Sequence, residues 1–171
     1  MKYLIMLLAL VTGATLQALL PAWTWLGGAQ PPVLLALVLF YAWTFPRNGL
    51  LVCAFIAGLL QDALGQVPLG YSCLCFALAG LFAQRHRDDV DEQAIISQVI
   101  FGGISAALVT LLLYVLLRHA GAVTLSFGEA LRKTLGTVLL GALLTPIMFR
   151  MAIGLERRLG ERPAPDHGGH L

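Results

Sequence analysis

The sequence predicts an all-α fold, a polytopic membrane protein whose six transmembrane helices form one bundle. Three observations predict it. Of the 171 residues, 58% are apolar and 12% charged, about half the charged share of an ordinary soluble domain. No charged residue occurs from residue 3 to residue 46, and Asp62 is the only one from residue 48 to residue 84; in water, much of such a stretch would be left facing solvent. The third is length. A bilayer core of about 30 Å takes about 20 apolar residues per helix, so the chain has room for five or six spans with connections and for no separate soluble domain.

The first span runs from about Tyr3 to Leu20 and stops at Pro21 and Gly27-Gly28. Lys2 ahead of an apolar run also fits a secretory leader, but the apolar character continues to Leu20, and cleavage would put the later spans on the wrong side. The segment is therefore expected to stay as a span. The second, Val33–Phe45, is short; Pro31 and Pro32 suit a helix start, where a missing N–H costs nothing, and Pro46-Arg47-Asn48-Gly49 makes a turn. The third covers about 49–64 and the fourth about 69–84, separated by a turn over 65–68. The fifth, 94–117, carries no charge at all, and the sixth covers about 134–154, with a kink expected at Pro146. Ser126 and Glu129 have the spacing of a capping box that opens a helix ahead of span six. Residues 1–160 then form a single transmembrane domain, and 161–171, polar and containing Gly and Pro, a disordered cytoplasmic tail.

Orientation follows from the basic residues. With the N-terminus in the cytoplasm, Lys2, Arg47, Arg85, Arg87, Arg150, Arg157, Arg158 and Arg162 fall inside, against Arg118, Arg132 and Lys133 outside. Merging spans two and three breaks this alternation, so six spans with both termini cytoplasmic is the expectation.

Asp62 stands out as an acid within an apolar stretch, where a carboxylate is costly. Counted from Arg47 at 1.5 Å per residue it lies about 22 Å along its helix, towards the outer leaflet. Ala54, Gly58 and Asp62 share one face, and small residues at that spacing let another helix come close. The next helix opens at Val67-Pro68-Leu69-Gly70, and its first N–H groups have no partner within the helix. Asp62 is placed to accept from Gly70 or Tyr71, at the positive end of that helix. A clasp between two helices is the first reading; a proton or ion relay and a partner contact are the alternatives.

Arg47-x-Gly49, then Gly58-Leu59-Leu60-Gln61-Asp62, then Pro68-Leu69-Gly70 together resemble the characteristic stretch of the MreD family, bacterial rod shape-determining membrane proteins. Pro32-Val33-Leu34-Leu35 through Phe40-Tyr41 is similar to that family's second span. The resemblance is densest over about 31–84; Cys73-Leu74-Cys75 and the acidic run Asp88-Asp89-x-Asp91-Glu92 depart from the pattern. It implies a bundle similar to the substrate-binding subunits of energy-coupling-factor transporters. It also implies a non-catalytic component of the cell-wall elongation machinery in the bacterial inner membrane. There the protein would bind MreC and, through it, link MreB filaments with RodA and the elongation transpeptidase. On this reading Arg47, Gly58, Asp62, Pro68, Leu69 and Gly70 are structural or interaction residues.

The residues themselves point away from chemistry. There is no nucleophile–base pair, no phosphate loop and no metal-ligand spacing. His86, His119, His167 and His170 fall in loops or tail, and Cys53, Cys73 and Cys75 read as small hydrophobes within spans. No catalytic group, cofactor or metal is expected, and a net charge of +2 gives no reason to expect nucleic acid as a partner beside the lipid bilayer. The competing function is a vitamin-binding membrane subunit of an energy-coupling-factor transporter. That would need convergent polar groups in one pocket. Gln17, Thr44, Gln61, Asp62, Ser72, Ser105 and Thr110 instead read as thinly scattered over five helices.

Overall fold

A computed structural model describes residues 2–20, 28–65, 68–86, 95–121 and 127–158. Six helices follow one another: α1 (Lys2–Leu19), α2 (Val33–Thr44), α3 (Arg47–Gly65), α4 (Tyr71–Arg85), α5 (Ile95–His119) and α6 (Phe127–Arg158). They match the six expected segments within a few residues, except that α6 begins well ahead of the apolar run, so Arg132 and Lys133 lie on its first turns. The described part of the chain is helical, and α1, α3, α5 and residues Gly128–Gly154 of α6 are each long and apolar enough to cross a membrane. Ser126, the expected cap of α6, the acidic run at 88–92 and the tail at 161–171 lie outside the described residues.

The arrangement turns on α2. It contacts each of the other five helices, and every residue from Val33 to Trp43 is buried. A helix apolar on all sides belongs inside a bundle, which explains why the second segment is too short to look like an independent span. Its ends are set by proline. Pro32 sits at the N-cap, and Phe45, held extended ahead of Pro46 (φ −102, ψ 155), cannot continue the helix. The Pro46 carbonyl then accepts from Leu50 N (3.0 Å), starting α3 at once.

The surface has the inverse pattern of a soluble protein. On α6, Leu131, Leu135, Leu139, Leu143, Ile147 and Met151 are exposed at intervals of four, and Ile96, Ile100 and Ile104 make a similar row on α5. Polar side chains are buried instead, among them Gln17, Asp62, Ser72, Thr134 and Thr145. Apolar stripes of this extent gain nothing from water and are satisfied by lipid tails.

Backbone proximity is set by small residues. A Cβ added at Gly141 would lie 2.8 Å from Ala106 Cβ and 3.1 Å from Gly102 O, so α5 and α6 touch along their backbones. At Pro146, which has no N–H to donate, α6 continues as one helix; beside it the Thr145 hydroxyl donates to Gly141 O (2.6 Å). Side-chain hydroxyls of this kind are what let membrane helices tolerate proline.

Candidate functional site

Antiparallel succession brings the C-terminal ends of α1 and α3 together with the N-terminal ends of α2 and α4. At this end of the bundle, two even-numbered helices begin with their first N–H groups unsatisfied by their own backbone. Neither has a side-chain cap of its own: Pro32 and Gly70 occupy the N-cap positions and make no side-chain cap bond. The preceding odd-numbered helix supplies the acceptor in both cases.

For α4 that acceptor is Asp62, which is 1% exposed. Gly70 N donates to its Oδ2 (2.7 Å) and Ser72 N donates to its Oδ1 (3.1 Å). Gly70 is one of the two expected donors; the other is Ser72 and not Tyr71, because the two oxygens of one carboxylate span alternate N–H groups of the first turn. Gly70 has φ +103 and ψ −19, a conformation open to glycine and strained for other residues. Hydrogen bonds to a charged acceptor are worth about 1.5–3 kcal/mol each, and the positive end of α4 adds to the attraction.

For α2 the acceptor is Gln17, 3% exposed. Leu34 N donates to Gln17 Oε1 (3.1 Å), while Gln17 Nε2 donates to Gln61 Oε1 (2.7 Å). Since Gln61 directly precedes Asp62, the two caps are joined side by side across α1, α2, α3 and α4.

Gly58 lies one turn before Asp62 and fixes the spacing. A Cβ there would lie 2.5 Å from Cys73 N and 2.8 Å from Cys73 Sγ, so the backbones of α3 and α4 are in contact. The Cys73 thiol donates to Phe55 O (3.3 Å). Pro68, Leu69 and Gly70 are exposed, Leu69 at 73%. Arg47 is exposed at the opposite end of α3. Five of the six singled-out residues thus gather at one end, and Arg47 stands apart from them. In α1, Ala14 packs into the core whereas Ala18 is exposed; the buried face runs through Gly13, Ala14 and Gln17.

One expectation is corrected. The polar groups are not all scattered: Gln17, Gln61, Ser72 and Thr110, joined by Lys133 and Thr137, line one cavity of about 310 Å³. Linear spacing hides this, because each helix contributes only one or two of them. Thr44 and Ser105 stay outside it; Thr44 donates to Phe40 O (3.1 Å), and Ser105 Oγ is buried with no hydrogen-bond partner among the described residues. Sequence reasoning also missed the α5–α6 contact at Gly102, Gly141 and Thr145. The signal was present as Gly102-Gly103 facing the small-residue run at Gly141-Ala142.

No curated protein and no solved structure matches the chain. The family model described as rod shape-determining protein MreD matches residues 1–157, a range that takes in all the helices except the last residue of α6. With its apolar outer faces, its four membrane-length helices and a match over nearly its whole length, the chain belongs to the MreD family of rod shape-determining membrane proteins.

Proposed function

We propose that the protein is a non-catalytic scaffold of the bacterial cell-wall elongation machinery, a six-span protein of the inner membrane with both termini cytoplasmic. It binds MreC and couples MreB filaments to RodA and the elongation transpeptidase, directly or through MreC. The observation that carries the reading is the family match over residues 1–157. In this view α2 and α4 are short spans, sheltered by their longer neighbours from the full thickness of the bilayer. The tethered hairpin of α3 and α4 serves as the rigid unit that presents Pro68 and Leu69 at the bundle end.

Affinity purification of the full chain in mild detergent tests the reading: MreC and a RodA-type synthase are expected to co-purify. A second reading, a subunit of an energy-coupling-factor transporter, is favoured by the convergence of polar groups on one cavity. Co-purification of an ATPase module without MreC would replace the scaffold by that transporter subunit.

A further inference from the structure

The cavity at the capped end has a chemistry that neither cap uses. All six helices contribute to its wall. Leu35, Phe76, Val109 and Leu113 make an apolar interior, and hydroxyl and amide groups of Ser72, Thr110, Thr137 and Gln61 stand among them. Lys133, near the start of α6, is the one charged residue among the described residues of the lining. Asp62, the nearest acid in sequence to this wall, is turned to the Gly70 and Ser72 N–H groups. Gln61 has its Oε1 engaged by Gln17, which leaves its amide N–H groups as donors. The balance is thus one cation and several donors over an apolar floor, in a space of about 310 Å³, near the lower bound for small-molecule sites.

We propose that this cavity binds an anionic group, a phosphate or carboxylate, with an attached apolar body lying against Leu35, Phe76, Val109 and Leu113. Lys133 neutralises the charge, and the Ser72 hydroxyl and the Gln61 amide donate to the oxygens, while the Thr137 hydroxyl keeps its proton on Lys133 O (2.9 Å); among the described residues no carboxylate lines the cavity to repel an anion. The same chemistry is offered by a phospholipid head and by a free phosphate. The Asp62 clasp contributes indirectly, since it fixes the first turn of α4 and with it the side chain of Ser72.

The full chain, purified in mild detergent, is titrated with phosphatidylglycerol, with diacylglycerol of the same acyl chains, and with inorganic phosphate. Binding is read by native mass spectrometry and by the shift in melting temperature. Phosphatidylglycerol is expected to bind and stabilise where diacylglycerol does not, and Lys133→Gln to weaken that binding by about tenfold, the loss of one charge-assisted contact. Arg132→Gln, the neighbouring exposed position outside the lining, is expected to leave it unchanged. Stabilisation by inorganic phosphate alone, lost in Lys133→Gln, supports the same site with a soluble anion as its source. Equal binding of diacylglycerol, equal effects of the two variants, or no response to either anion overturns the proposal. Because Lys133 is exposed, its variant is expected to fold, and an unchanged melting temperature without ligand verifies this. MreC co-purification is a separate measurement, so loss of anion binding and failure of the scaffold role are distinguishable.

Discussion

The two ends of the bundle are held together by different physics. At the end where α2 finishes, aromatic rings do the packing. Phe40 and Trp43 meet Phe149 edge to face, with ring centroids 5.3 Å and 5.0 Å apart. Trp43 also reaches Phe101 of α5 at 6.0 Å, and Phe45 stacks on both Tyr3 and Tyr41. Polar bonds join the rings there: Trp43 Nε1 donates to Ala83 O (3.4 Å) and Gln84 Nε2 donates to Phe45 O (3.0 Å). At the other end the rings give way to the Asp62 and Gln17 caps and a cavity. Dispersion is spread over many atoms and degrades gradually, whereas a cap made by one side chain fails at once.

This contrast can be broken by mutation. Asp62→Leu leaves the N–H groups of Gly70 and Ser72 buried without an acceptor, at about 1–3 kcal/mol each. The largest fall in melting temperature in detergent is expected from it. Asp62→Asn, which still accepts one hydrogen bond, is expected to lose about half as much; an equal loss would show that the charge and not the cap is what α4 requires. Phe149→Ala removes a ring that packs on both Phe40 and Trp43 and is expected to cost about 3–5 kcal/mol. Anion binding at the far end should persist in that variant below its melting temperature. Loss of binding there would mean that the two ends are coupled and the contrast is false.

Gly58→Ala is expected to cost about 1–3 kcal/mol, because its methyl group would meet the Cys73 backbone, which cannot rotate away. Gly58→Leu should cost more and reduce MreC co-purification if the hairpin is what MreC recognises. The smallest effect is expected from Trp43→Phe, which keeps the ring contact and loses one long hydrogen bond, worth about 0.5–1.5 kcal/mol. A loss for Trp43→Phe as large as for Asp62→Leu, measured by the same melting assay, would erase the distinction between the ends.

How the chain would be read depended on which signals are local. Helix positions were legible because apolar runs and prolines act within a few residues; Pro31-Pro32 and Pro46 bracket α2 as expected. Asp62 was legible because a lone acid in an apolar stretch must be satisfied nearby, and the N-terminus of α4 is eight residues on. The Gln17 cap is not legible in the sequence, since its acceptor atom serves Leu34, seventeen residues away in the chain. The Gly102–Gly141–Thr145 contact likewise depends on which faces of α5 and α6 meet.

Scarcity of charge, the spacing of small residues around Asp62 and the order of turns determined by themselves that this is a multi-pass helical protein of the MreD kind. They act through the bilayer and the local backbone, which need no knowledge of distant neighbours. That α2 is the central helix, that side chains of α1 and α3 cap the helices that follow them, and that Lys133 lines one cavity with Gln61 and Ser72 were decided only by tertiary structure. Those features depend on the rotation of each helix about its axis, and packing of all six together sets that rotation.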